Sequence, residues 1–213
     1  MRRIRKSTEP ASLTAHRLQD HATYDNYADK DGLRKSLAKE QYALCCYCAS
    51  RISAEPDKMK IEHFSCQQAH PDLQLTYANL LGACPGGQGR AEHEQHCDTR
   101  KGSKDLSKNP ASTTNIEDFL AYSGDGIIYS TDQLFGQELN QVLNLNTPIL
   151  KQNRKSTLSA FLTGIGTAHK GTLTRQQWEG YLSRVQGTGD PVQLMPYAPM
   201  VAYYIRKKLG AGH

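Results

Sequence analysis

An α+β fold, predominantly helical, is what this 213-residue sequence predicts. Three observations carry the prediction. Apolar residues recur at helical spacing ahead of Cys45 and again beyond about residue 130. Between Cys45 and Lys104 that period gives way to short alternating stretches and a Gly-rich loop. All six cysteines fall between Cys45 and Cys97, inside that non-helical stretch.

Taken in order, Ser12 to Gln19 and Gly32 to Tyr42, with Leu33 and Leu37 on one face, are predicted as short helices that act as a scaffold. Met59 to Phe64 alternates as a strand does, and Tyr77 to Ala83 is compactly apolar. "CPGGQGRAEHEQHC" is a loop. After a polar linker at Asn109 to Thr114, "EDFLAYSGDGIIYS" predicts a helix end or strand, a Gly-Asp-Gly turn and a strand. Leu134, Leu139, Val142 and Leu143 fit one helix, and Leu158, Phe161, Leu162 and Ile165 another. Trp178, Tyr181, Leu182 and Val185 fit a third, opened by Thr174 and Gln177 in capping-box spacing. Val201, Tyr204, Ile205 and Lys208 mark a last helix after Pro199. These C-terminal stripes are expected to be core. The chain divides into a helical scaffold (1–44), a cysteine-rich centre (45–110) and a helical region (111–213) that belongs to the same compact domain.

Apolar residues at 38% and charged residues at 22% exclude a disordered or fibrous chain. The net charge of +5 is mild, but Arg2, Arg3, Arg5 and Lys6 form a basic start and Arg206, Lys207 and Lys208 a basic end. That distribution favours a polyanionic partner, with solvated termini as the plain alternative. No apolar run approaches the ~20 residues of a membrane span. The basic start lacks an apolar region of the kind a signal peptide carries, so a cytoplasmic location is expected, and there the cysteines are expected as thiols.

Thiols in one cluster point to metal. Cys45 and Cys48 form a CxxC whose thiolates can converge on one Zn²⁺ from a tight turn, and Cys84 with Cys97 completes a tetrahedral four-sulfur site. Cys46 and Cys66 are left as packing residues, although His96 or Cys46 can replace one of the four ligands. In a segment this poor in apolar residues the metal takes the place of a core.

Between the two cysteine pairs lies "IEHF", with Glu62 and His63 adjacent on a predicted strand and so directed to opposite faces. A glutamate can supply a hard oxygen to Mg²⁺ or Mn²⁺, and a neutral imidazole can take a proton from water. The plain alternative is a solvent-facing Glu beside a core His. Asp98, just past a zinc ligand, can complete a metal site or simply suit a helix start. Lys101, Arg100 and Lys104 offer positive charge to a phosphodiester, or form a solvated helix face. Asn79 can orient the imidazole or cap a turn.

In this order, "CCYC", "IEHF", "YANLL", a single Cys and "CDTRKG" resemble an HNH endonuclease of the ββα-metal type with a zinc knuckle. The opening "MRRIRKSTEPASLTAHR", the "IEHF" form and the widened "CPGGQGRAEHEQHCDTRKG" are similar to the narrower PtuB-like family of Septu and retron-associated anti-phage systems. The resemblance covers the first half of the chain; the C-terminal helices match only in length and character. It implies a ββα-metal core with the zinc at Cys45, Cys48, Cys84 and Cys97. His63 becomes the general base, Glu62 a ligand of the catalytic Mg²⁺ or Mn²⁺, and Asn79 the residue that positions the base. Asp98 takes the third motif position, where His or Asn is usual, which leaves Asp98 and His96 as competing ligands. The implied function is DNA cleavage as the effector of an anti-phage system with an ABC-type, PtuA-like ATPase partner, and a higher-order complex is left open. A ribonuclease acting on a tRNA-like substrate and a non-catalytic zinc-ribbon binding module are the alternatives. Tyr203 and Tyr204 are candidates for partner docking, against core packing of the same residues.

Overall fold

The computed structural model describes residues 1–188 and 193–210, and among these it is mixed, with seven α-helices and two small antiparallel sheets. The helices α1 (Ala11–Arg17) and α2 (Lys30–Glu40) precede the first sheet. Asp29 caps α2 through the Gly32 amide, and Leu33 and Leu37 are its buried face. Strands β1 (Lys60–His63) and β2 (Leu80–Ala83) pair with Lys60 opposite Ala83 and His63 opposite Leu80. The compact apolar stretch at Tyr77 begins as a 3₁₀ turn, Tyr77–Asn79, and becomes strand only at Leu80. A short helix, α3 (Cys97–Lys101), follows, so the order through the cysteine region is strand, strand, helix.

The Gly-Asp-Gly turn joins β3 (Leu120–Tyr122) to β4 (Ile128–Ser130). Gly126 has φ +88°, and a Cβ there would meet the Lys151 carbonyl at 2.2 Å, so only glycine admits so close an approach. Helices α4 (Gln133–Gln141), α5 (Pro148–Ala168), α6 (Arg175–Gln186) and α7 (Ala198–Lys208) complete the chain. Both bonds of the Thr174/Gln177 capping box are present. Leu134, expected on the inward stripe of α4, is 57% exposed, and the buried pair is Phe135 and Leu139. A strand end at Ser130 and a cap at Asp132 set the rotation of this helix, which the spacing of leucines alone does not reveal.

One hydrophobic cluster runs from Met1 and Ile4 through Leu33, Leu37, Leu80 and Leu81 to Phe135, Leu150 and Ile205. Tyr203 and Tyr204 lean against it, stacked obliquely on Tyr122 and Trp178. Gln41, fully buried, donates to the carbonyls of Leu44 and Gly82 and accepts from the Gly82 amide, tying the turn before Cys45 to β2. Among the described residues no helix is long and apolar enough to cross a membrane.

Candidate metal centre and acid-histidine site

The four sulfurs come from three places: the turn at Cys45 and Cys48, the residue after β2, and the first residue of α3. Their ligand atoms lie within 4.8 Å of one another and all four residues are buried. Cys45 Sγ is 3.9 Å from Cys97 Sγ, and Cys48 Sγ is 3.7 Å from Cys84 Sγ. A tetrahedron with Zn–S bonds of about 2.3 Å has edges of about 3.8 Å, so the cluster has the size a zinc ion requires. Among the described residues it is the one group of three or more such side chains within that range.

The Gly-rich loop explains how Cys84 and Cys97, thirteen positions apart, converge. Gly86 adopts φ +59°, and a Cβ there would sit 2.1 Å from the His96 carbonyl. The His96 amide donates to the Gly86 carbonyl at 2.9 Å, closing the loop one residue before Cys97. Cys97 itself has a left-handed φ of +56°, a strained state of the kind held at ligand clamps. Its amide donates to the Leu143 carbonyl, and Asn144 donates to the carbonyls of His93 and Gln95. Arg154, buried in α5, grips the same turn through Leu145 O at 2.8 Å and Asn146 Oδ1 at 3.0 Å, and joins it to the β3–β4 turn through Gly126 O at 2.6 Å. The C-terminal half therefore buttresses the cysteine loop. His96 places Nδ1 3.2 Å from Cys97 Sγ, beside the sulfur cluster. Cys46 and Cys66 are buried and stand outside the four-sulfur group.

Beside the cluster, β1 presents Lys60 and Glu62 on one face and Ile61 and His63 on the other. Glu62 is 3% exposed, contrary to the solvent-facing alternative, and its Oε1 takes the Tyr47 hydroxyl at 2.7 Å and the Lys101 ammonium at 2.9 Å. Burial pushes its carboxyl well above the usual range; the neighbouring Asp98 carboxylate adds to the rise, against the pull of Lys101 and Tyr47. Asp98, about a fifth exposed, is paired with Lys60 at 3.2 Å. Glu62 and Asp98 thus form a two-carboxylate pair; a cation bound there would complete its shell with water or substrate oxygens, as Mg²⁺ commonly does.

His63, 8% exposed, packs edge-on against Tyr24 with ring centroids 4.5 Å apart, and its Nε2 lies 3.0 Å from the Gln74 carbonyl. A carbonyl only accepts, so Nε2 carries the proton and Nδ1 of the neutral ring keeps its lone pair. Burial lowers the His63 pKa, favouring the neutral form. Asn79 does not reach the imidazole: it accepts from the Ser65 amide and donates to the carbonyls of Ser65 and Leu73. It shapes the loop that carries Gln74.

The three expected phosphate cations separate. Lys101 is 1% exposed and faces Glu62, because α3 is only five residues long and folds its fifth residue under β1. A buried ammonium so placed is a partner of the carboxylate and has no access to a phosphate. Arg100 is paired with Glu92. Lys104 is exposed. Tyr47, Lys60 and Tyr24 were not anticipated; the period of two along β1 was the available signal for Lys60, which shares a face with Glu62.

No family model matches the chain. A search of known proteins found similarity to "Septu protein PtuB" of Bacillus thuringiensis, 27% identical over 109 residues. The matched stretch covers 51% of this chain and 37% of that protein, so the chain spans little more than a third of its relative's length. That similarity supports a relationship to the Septu PtuB-like proteins.

Proposed function

We propose that this chain is a metal-dependent HNH endonuclease with a ββα-metal core, the effector nuclease of an anti-phage system. The observation that carries the reading is the fixed tautomer of His63: with Nε2 bonded to Gln74 O, Nδ1 keeps its lone pair in a largely buried site that feels the Asp98 charge, while Glu62 lies on the opposite face of the same strand. The strand-strand-helix order and the four-sulfur cluster support it, as does the similarity to a Septu protein PtuB. DNA is the preferred substrate and an ABC-type, PtuA-like ATPase the partner, both following from the family resemblance.

In this mechanism His63 Nδ1 takes a proton from water as the oxygen attacks phosphorus, and the phosphorus–oxygen bond to the leaving oxygen breaks. Glu62 and Asp98 would hold Mg²⁺ or Mn²⁺, which when bound would supply positive charge to the phosphate oxygens. Gln74 O fixes the ring, Asn79 holds the loop that presents Gln74, and Tyr47 and Lys101 hold the Glu62 carboxylate in place. Cys45, Cys48, Cys84 and Cys97 would hold zinc, which would tie the end of β2 to the start of α3.

The test is cleavage of DNA and of RNA by the purified chain with Mn²⁺ or Mg²⁺, beside His63→Ala. A loss of at least about 100-fold in the variant, with its zinc content and unfolding midpoint retained, is the expected result. Equal activity of both proteins overturns the reading. Preference for RNA would keep the chemistry and change the substrate to a tRNA-like molecule.

The sealing of Glu62 by Lys101 and Tyr47 favours a second reading, a zinc-stabilised binding module in which the acid is structural. Nucleic-acid binding without cleavage, unaffected by His63→Ala, is its signature.

A further inference from the structure

The basic start and the basic end of the sequence, some two hundred positions apart, meet on one wall of a cavity of about 1160 Å³. Arg2, Arg3, Arg5, Lys39 and Arg206 line it, against two acids, Glu40 and Glu117. Both acids are already engaged. Glu117 pairs with Arg206 and accepts the Arg3 amide at 3.4 Å. Glu40 holds Lys6 at 2.5 Å and the Tyr77 hydroxyl at 2.8 Å. Among the described residues Arg2, Arg3, Arg5 and Lys39 have no carboxylate partner.

Of these cations Arg2 and Arg3 are part-buried, while Arg5 and Lys39 are exposed. Arg2 lies 4.7 Å over the Tyr42 ring and donates to Gln186 O at 3.2 Å. Arg3 has a buried Nε with no partner at all. Burial lowers the pKa of Arg2, against the attraction of Glu117 and with a smaller repulsion from Arg5. The hydroxyls of Ser7, Ser36 and Thr188 around the same space already donate to Glu40, Gly32 O and Ser183 O, which leaves the basic side chains as the donors for an anion. Forked guanidinium groups suit planar or tetrahedral oxyanions, phosphate among them.

The position argues for a polymer over a small anion. Lys6, the next residue after Arg5, donates to the Leu80 carbonyl at 2.8 Å, and Leu80 is the register partner of His63. Lys6 lies between the lining residues Arg5 and Ser7, so the segment that lines the cavity is tied to the strand pair that carries His63.

We propose that this cavity is a binding track for the sugar-phosphate backbone of the nucleic acid whose cleavage is assigned to His63; the choice of a nucleic acid rests on that reading. Its charge is sequence-blind, so it fixes position along the strand and leaves base identity unread.

The experiment measures binding of a labelled DNA duplex and a labelled RNA hairpin across a salt series, using the full chain with His63→Ala so that no cleavage intervenes. The double variant Arg5→Ala/Lys39→Ala is compared in that background, because both side chains are exposed and make no internal ion pair. The slope of log affinity against log salt is expected to shallow by about 2, one for each cation removed from the track. An unchanged slope, or no salt-dependent binding by the parent, overturns the proposal. Loss of affinity for polyglutamate at an unchanged nucleic-acid slope assigns the cavity to an acidic protein and overturns it equally. Cleavage by the native chain with an unchanged slope defeats the track alone. A shallower slope with no cleavage by the native chain defeats the nuclease reading and leaves the track standing.

Discussion

The Lys101 ammonium lies 2.9 Å from Glu62 Oε1, with essentially no solvent at either side chain. A charge pair this deeply buried contributes little net stability when intact, yet breaking it strands the surviving partner. Lys101→Met is therefore expected to cost about 3 kcal/mol in denaturant unfolding. Replacing Glu62 by Gln in the same background should recover part of that loss, since the orphaned carboxyl is then gone. An additive double variant would show that the two residues act independently.

Burial sets the sign of the pH response at His63. Its folded pKa lies below the unfolded value of about 6.5. The neutral ring is the base, so hydrolysis should be flat above about pH 6.5 and fall only as pH drops through the lowered folded value. The same group contributes stability that is present above the unfolded pKa and lost as pH falls, because the unfolded chain then binds the proton more readily. A cation at Glu62 and Asp98 pushes the ring in the same direction. An acid limb of kcat/KM centred above about pH 7 would contradict the assignment of His63.

With zinc at the four sulfurs as proposed, chelation should loosen the chain from Ala43 to Ala49 and from Cys84 to Lys101 before the C-terminal helices, because the sulfurs join three separate segments. Hydrogen exchange with and without a chelator reads this directly, with one zinc per chain as the expected stoichiometry. Cys48→Ala should behave like chelation. Gly86→Ala should resemble it too, since the clash with His96 O opens the loop that delivers Cys97.

Arg154 donates to two buried carbonyls, on Gly126 and Leu145, and to Asn146 Oδ1, which also accepts from the Ile128 amide. Arg154→Ala leaves the two carbonyls without a donor, at about 1–3 kcal/mol for each that water does not reach, so a loss of roughly 3 kcal/mol is expected. Zinc affinity should fall with it, because the 143–146 turn bonds the Cys97 amide. A normal zinc affinity in a destabilised variant would separate the two halves of the chain.

The four-cysteine cluster was legible in the sequence because few other roles gather four cysteines between short strands and loops. Helix α2 was legible from its stripe and α6 from its stripe and capping box, within about two residues. Lys101 was not: in "CDTRKG" it looks like one of several solvated cations, and only the register of β1 on β2 and the brevity of α3 turn it inward. Tyr47 was hidden among cysteines, where an aromatic signals packing and its hydroxyl partner lies fifteen positions ahead. Leu134 misled for a related reason, since Phe135 one step further fills the core. Arg154 sat in a helix with no acid to announce it.

The pairing of Cys45 with Cys97 and of Cys48 with Cys84, each under 4 Å, has a practical corollary for handling the chain. Stripped of its ion in air, the cluster needs only a small side-chain movement to cross-link itself, tying the Cys45 turn to α3 and to the end of β2 by covalent bonds. Such material would keep much of its shape while refusing to reload, so preparations made without a reductant would look intact and be inert.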